Sequence, residues 1–272
     1  MKKESNVYII IYSVVMVVIV ALALAFTSEA LKEPQKANEQ IDKMQQILRS
    51  VHLTPDKSEV IDTYKNVILA EALVSTESGE ITQSFSNDER IQSEAFGMNT
   101  NNQFKYIRNK SQSTLPLYIA EVQGERKYIL PLNGNGLWNI IWGYVAIDAD
   151  GFTIYGTDFG NAGETPGLGA EISTKHFADR FVGKKIGSSE KGIVGVAVLK
   201  HGQLDPERRE QVDGITGGTL TSNGVNEMIA FCLKQYEPFL MKVAQGEDPL
   251  STSNSTSSEQ SRETKEETPT QN

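Results

Sequence analysis

Three glycine-rich segments hold the residues best placed to handle a bound group. Asp213-Gly214-Ile215-Thr216-Gly217-Gly218-Thr219-Leu220-Thr221-Ser222 offers three threonine hydroxyls in a turn just before the last helical pattern of the chain. The free backbone N–H groups and the positive dipole end at such a helix start favour a phosphate. No lysine follows these glycines, so the segment is not a P-loop of the GxxxxGK[ST] type. A purely structural reading competes, in which Ser222 or Asn223 is simply the helix N-cap, worth ~1 kcal/mol. Spacing alone does not separate the two readings.

Gly163-Glu164-Thr165-Pro166-Gly167-Leu168-Gly169 packs three glycines and a proline into seven positions. Its backbone can pass close to something flat, although by itself such a cluster reads as a surface connector. Gly134-Asn135-Gly136-Leu137-Trp138 begins like a dinucleotide fingerprint, but Asn139 stands where the third glycine belongs and a strand pattern follows instead of a helix. A Rossmann site is excluded. What remains is a tight turn between strands, with Trp138 available to pack or stack.

Other chemistries are set aside by the residues the chain lacks. A single cysteine, Cys232, forms no internal disulfide and supplies no cysteine-based cluster or structural zinc. It falls on an apolar helical stripe with no nearby base or cation, and reads as a small core residue without chemistry. His52, His176 and His201 are never paired at helical spacing, so a histidine metal centre or an H-E-x-x-H protease is not expected. His201 is the one candidate base for a nucleophilic Thr219 or Thr221, and it lies at a strand end. The net charge of -9 and the absence of a basic stripe argue against nucleic acid as a partner.

The elements that must position these segments read as an α+β domain. Ala37, Ile41, Met44 and Leu48, and then Ile61, Tyr64, Ile68 and Ala72, recur at helical spacing on either side of Pro55. Leu117–Val122 and Lys127–Leu132 flank the hairpin signal Gln123-Gly124-Glu125-Arg126. Ile140–Ile147 and Phe152–Phe159 flank the turn Asp148-Ala149-Asp150-Gly151, and Ile193–Leu199 is a later strand. Thr174–Phe181 reads as a short helix, and Asn223–Val243 as a last long one. Strands in succession with helices at the ends suit an antiparallel sheet with flanking helices, not βαβ units.

Val7–Phe26 is a run of 20 uncharged residues, long enough at about 1.5 Å per residue to cross a bilayer core of about 30 Å. The length favours an uncleaved single-pass helix over a cleaved signal peptide. Lys2 and Lys3 before it, with no positive excess after it, place the N-terminus in the cytoplasm and the bulk of the chain outside. Pro34 marks the junction with the stalk, because a proline interrupts the helix ladder. The expected organisation is 1–6 cytoplasmic, 7–26 membrane-spanning, 27–110 helical stalk and start of the soluble domain, 111–245 the main domain, and 246–272 a polar disordered tail.

Asp213-Gly214-Ile215-Thr216-Gly217-Gly218-Thr219 closely resembles the flavinylation motif D-x-x-[S/T]-G-A-T of the FMN-binding family that includes the C subunit of the Na+-translocating NADH:quinone reductase and the G subunit of the Rnf complex. Leu220-Thr221-Ser222, Gly136-Leu137-Trp138 and the Glu164–Gly169 loop also resemble the C subunit. Gly218 stands where alanine is usual, and Asn161-Ala162 where many members have a histidine.

The resemblance implies FMN joined to Thr219 by a phosphoester bond, installed by a separate flavin transferase with FAD as donor. It further implies a wall for the ring from Trp138, Glu164, Thr165, Leu168 and Gly169, and a cradle from Asp213, Thr216, Gly217, Gly218, Leu220 and Thr221. Asp213 and Thr216 are expected to orient the loop by local side-chain bonds. The implied function is electron relay, from an upstream iron centre to a second covalent flavin on a membrane partner, within a complex of membrane and cytoplasmic subunits in the bacterial inner membrane. The soluble domain would face the periplasm. Two alternatives stay open: a G-type subunit of an Rnf complex, or a membrane-anchored scaffold domain that has lost its flavin.

Overall fold

The computed structural model describes residues 6–109, 113–205, 207 and 210–250. Lys2, Lys3 and the tail from 251 onward lie outside the described residues. The chain divides into two compact units at Lys43/Met44.

Helix α1, Asn6–Ser50, contains the apolar run, and its large side chains from Val7 to Phe26 are exposed except for the half-buried Tyr8. By length and composition it is able to cross a membrane. It continues through Pro34, contrary to the expected interruption. The missing proline N–H leaves one carbonyl unpaired, but good helix formers flank it on both sides and the surrounding surface is exposed.

The second unit is built on a six-stranded sheet in the order β2-β1-β3-β4-β5-β6, with every neighbour antiparallel. After α1, helix α2 (Val60–Val67) leads directly into β1 (Ile68–Ser75) and then β2 (Ile81–Ser86). Ile68 and Ala72, expected on a helix, are therefore strand residues, and Val60 and Tyr64 form the buried face of α2. The sequence Ile-Leu-Ala-Glu-Ala-Leu-Val-Ser is rich in helix formers, but pairing on both edges overrides that propensity.

Short helices α3 (Glu94–Gly97) and α4 (Thr100–Asn109) precede β3 (Thr114–Val122) and β4 (Glu125–Asn135). The hairpin between these two strands turns on Gln123 and Gly124, both at positive φ, the two-residue turn whose twist suits antiparallel strands. β5 (Ile140–Asp148) and β6 (Ile154–Asn161) complete the sheet.

Beyond β6 come helix α5 (Lys175–Ala178), capped by Thr174, and two small ladders, antiparallel β7 (Gly187–Ser188) with β8 (Gly192–Ile193) and parallel β9 (Ala197–Leu199) with β10 (Gln211–Asp213). The expected single strand 193–199 is thus split between two ladders. The last helical stretch is also divided, into α6 (Thr219–Gln235) and α7 (Glu237–Ala244), with Pro238 in the first turn of the second. A proline there cannot donate back into α6, so the ladder restarts.

Alternation along the strands sorts the core into two layers. Leu115, Leu117, Ile119, Tyr128, Leu130 and Leu132 join Val225, Met228, Ile229 and Cys232 of α6 in one cluster. The opposite face carries Tyr118, whose hydroxyl reaches the Ala95 carbonyl of α3 at 3.5 Å, and Trp142, whose indole donates to Gln46 at 2.7 Å. Cys232 is fully buried, donates to the Asn133 carbonyl, and burial raises its thiol pKa to about 12. Residues 246–250, assigned to the tail, instead meet the domain: Asp248 pairs with Arg126 and Leu250 packs on the core.

Candidate functional site

One carboxylate ties the three glycine-rich segments together. Glu164, only 5% exposed, accepts the Thr221 hydroxyl on Oε2 at 2.6 Å and the Trp138 backbone N–H on Oε1 at 2.9 Å. The backbone N–H groups of Asn139 and Leu137 also donate to it. Burial pushes the Glu164 carboxyl up, but the Thr221 hydroxyl and these three amides outweigh it, and its pKa falls below the ordinary glutamate value. Glu164 is therefore ionised at neutral pH. A Cβ at Gly136 would overlap Oε1, and one at Gly169 would lie 2.5 Å from Oε2. Those two positions are glycine because the carboxylate fills the space.

The Glu164 loop is itself held from both ends. Asn161 Oδ1 accepts the N–H groups of Gly163 and Glu164, and its amide donates to Ser173. Thr165 presents its carbonyl to the N–H groups of Leu168 and Ala170, and Glu171 accepts the Gly167 N–H.

Helix α6 starts at Thr219, with Gly218 as its N-cap and no side chain capping it. The first rung is the Ser222 N–H to the Gly218 carbonyl, which leaves the amides of the preceding turn without an intrahelical acceptor. Ser222 and Asn223, candidate N-caps by sequence, lie inside the helix instead. Ser222 Oγ accepts the Ile215 N–H at 2.9 Å and so stitches the turn to the helix.

The three threonines are not equivalent. Thr221 is 1% exposed and its hydroxyl is committed to Glu164. Thr216 and Thr219 are exposed, and neither side chain is hydrogen-bonded to another described residue. Thr219 alone is the first residue of the helix.

Asp213 differs from its expected part. Its carboxylate accepts the Gly202 N–H and pairs with His201 Nδ1 at 2.8 Å, so it secures the neighbouring turn and not its own loop. Arg180 secures the loop instead, donating to the carbonyls of Asp213 and Gly214 at 2.7 and 3.2 Å. His201, engaged with Asp213, is not bonded to a threonine. Gly217 takes φ +74°, open to glycine at little cost, and a Cβ there would lie 2.8 Å from Leu168 Cδ2, so the two loops touch at this point.

Sequence reasoning assigns no positioning role to Asn161, Glu171 or Arg180. The side-chain-to-turn pattern of Asn161 is in principle visible in the sequence, whereas the reach of Arg180 across 33 residues is not.

Leu137, Trp138, Leu168 and Leu220 are 49, 70, 43 and 60% exposed, an apolar group on the same three segments as the uncapped helix start. Apolar side chains beside an exposed hydroxyl and unpaired amides suit a flat ring system that carries a phosphate.

Residues 136–234 match the family model for the FMN-binding domain. The chain is 33% identical over 237 residues to the C subunit of the Na(+)-translocating NADH-quinone reductase of Vibrio alginolyticus, covering 84% of this chain and 91% of that protein. It is 28% identical over 245 residues to the same subunit of Yersinia pestis, covering 86% and 91%. The crystal structure of the C subunit of the Na(+)-translocating NADH-quinone reductase from Parabacteroides distasonis superimposes with a TM-score of 0.66 at 41% identity, over 77% of this chain and 96% of that one. NqrC of Shewanella oneidensis shares the fold, with a TM-score of 0.60 at 21% identity over 76% and 98%.

The fold and the site thus define an FMN-binding domain behind a long apolar helix. The chain belongs to the family formed by the C subunits of the Na(+)-translocating NADH-quinone reductases.

Proposed function

We propose that this chain is the electron-carrying flavoprotein subunit of a Na(+)-translocating NADH-quinone reductase and that it holds FMN through a phosphoester bond to Thr219. The observation that carries the reading is the sorting of the threonines: Thr219 is exposed at an uncapped helix start, while Glu164 occupies the hydroxyl of Thr221.

A threonine hydroxyl is a weak nucleophile, and no base is bonded to Thr219 among the described residues, so attachment falls to a separate flavin transferase. The Thr219 oxygen forms the new bond to phosphorus, the pyrophosphate bond of FAD breaks, and AMP leaves. The amides of the first turn of α6 face the phosphate, and the glycines at 217 and 218 keep the approach open. Trp138, Leu168 and Leu220 supply apolar walls, with Thr165 and Gly169 shaping the loop beneath.

The bound FMN supplies the redox chemistry, and the protein sets its place and its electrostatics. Electrons come from and pass to other subunits of the complex. The apolar stretch of α1 anchors the chain by a single crossing, with the N-terminus in the cytoplasm and the flavin domain in the periplasm.

The test is the full chain coexpressed with a flavin transferase, denatured and run on a gel under ultraviolet light. The wild type shows a fluorescent band and Thr219→Ala shows none. Mass spectrometry of the peptide spanning Thr216, Thr219 and Thr221 finds one FMN, on Thr219. A dark wild-type band, or a bright Thr219→Ala band, refutes the assignment.

A further inference from the structure

Every hydrogen bond that Glu164 accepts comes from a neutral donor, the Thr221 hydroxyl or a backbone amide. Among the described residues it has no cationic partner within ion-pair distance. A neutral glutamine oxygen would serve the three amides as well, so the staple by itself does not require a charge. A buried carboxylate without a counter-ion is an unusual thing to keep beside a cofactor site.

Its position gives that charge a use. Oε2 is 2.6 Å from Thr221 Oγ1, two residues past Thr219, which sets the carboxylate on the order of 10 Å from the Thr219 hydroxyl. Oε1 is 2.9 Å from the amide of Trp138, the proposed stacking residue. Arg180 and His201 both bond to the Asp213 end of the turn, and both are engaged there. Arg180 is committed to the Asp213 and Gly214 carbonyls, and His201 to the Asp213 carboxylate.

We propose that Glu164 is a tuning residue whose uncompensated negative charge lowers the reduction potential of the flavin at Thr219. This rests on the FMN assignment above. Two electrons with one proton leave the ring carrying an extra negative charge, and two electrons with two protons leave it neutral. The fixed carboxylate opposes the first outcome and so holds the ring toward its oxidised form. For a ring held no farther from the carboxylate than the Thr219 hydroxyl is, about 10 Å, a unit charge at an effective dielectric near 20 changes such an equilibrium roughly tenfold. A low potential suits a relay that must hand electrons onward instead of retaining them.

The experiment uses the full chain, flavinylated by coexpression and solubilised in detergent, reduced slowly by xanthine and xanthine oxidase beside a reference dye. Glu164→Gln keeps the shape and an acceptor for the amides while removing the charge. It shifts the equilibrium roughly tenfold toward reduced flavin, about 30 mV for a two-electron couple. Thr221→Val strips the neutral donor of the carboxylate and raises its pKa; titrated at about pH 8, far above the ordinary glutamate range, the carboxylate stays ionised and less screened, and the potential moves the opposite way. Opposite signs are what a charge predicts and a loosened loop does not.

Unchanged potentials, or shifts of the same sign, overturn the proposal. If Glu164→Gln takes up no flavin, Thr221→Val decides alone: a lower potential supports the proposal, and an unchanged or higher one overturns it. A wild-type chain without pigment refutes the FMN assignment instead, so the two failures are distinct.

Discussion

Gly134 sits on β4 beneath the last long helix, and replacing it with alanine tests the close approach that sets the height of α6 over the sheet. A Cβ at Gly134 would lie 2.7 Å from Met228 Cβ and 3.1 Å from its Cγ, against an ordinary contact of at least 3.4 Å. Met228 is fully buried and its Cβ moves only with the helix backbone, so rotamer change does not relieve the overlap. The helix must rise by about 0.7 Å, and overpacking of this kind costs about 1–3 kcal/mol. Against this, alanine in a strand is better than glycine by about 0.5–1 kcal/mol. The net loss is about 1–2 kcal/mol, or roughly 2–8 °C in Tm for a domain of this size. Thermal unfolding of the detergent-solubilised chain, followed by far-ultraviolet circular dichroism, reads it directly. Lifting α6 also stretches the Thr221–Glu164 bond from 2.6 Å, so FMN incorporation falls together with Tm. A Tm equal to or above wild type would mean that strand propensity decides at this position and that the tight seat of α6 is wrong.

The adjacent glycines of the acceptor turn should behave in opposite ways. Gly218 has φ −107°, and a Cβ there would meet Ile215 Cγ2 and Cβ at 3.1 and 3.2 Å and the Gly169 nitrogen at 3.3 Å, so Gly218→Ala is accommodated by the two loops giving way by about 0.1–0.3 Å, and retains FMN incorporation. Gly217, at φ +74°, does not accept a side chain freely, and Gly217→Ala costs about 1–2 kcal/mol with a matching fall in Tm and in the fluorescent band. For pH, Glu164 has a folded-state pKa below its unfolded value, so its contribution is complete above the unfolded value of about 4.3 and fades as pH falls through the folded one. Urea midpoints measured from pH 7 to pH 3 should therefore drop less in Glu164→Gln than in wild type, and parallel curves would contradict the charge assigned to Glu164.

The chain reveals its turns and motifs more readily than the contacts that join them. Gln123-Gly124 announces a hairpin because the two positive φ values demand such residues, and the acceptor turn is readable for the same reason at Gly217. β1 is hidden, since Ile68–Ser75 reads by composition as helix and becomes a strand only through partners on both sides. Glu164 is hidden more deeply. A glutamate in a glycine-proline loop suggests solvent exposure, and nothing local indicates a hydroxyl 57 residues away. Asp213 shows the reverse error: its place in the motif suggests a role in its own loop, while the fold turns it toward His201. Glu164, Arg180 and β1 share one cause, partners distant in sequence to which pattern reading is blind, whereas Asn161 and Glu171 act on amides two to four residues away.

The bonds around Thr219 have a consequence for how the chain matures. Trp138 and Glu164 are 26 positions apart, Glu164 and Thr221 are 57, and Tyr236, which ends α6, donates to the Pro116 carbonyl across 120. Closures over such spans come late, after the ribosome has released nearly all of the domain and after local hairpins have already formed. The surface around Thr219 is therefore absent from a nascent or half-collapsed chain and arises only when the last helix docks. On the proposed attachment of FMN to Thr219, a transferase that reads this surface would discriminate finished molecules from unfinished ones, and the attachment step would double as an inspection of the fold.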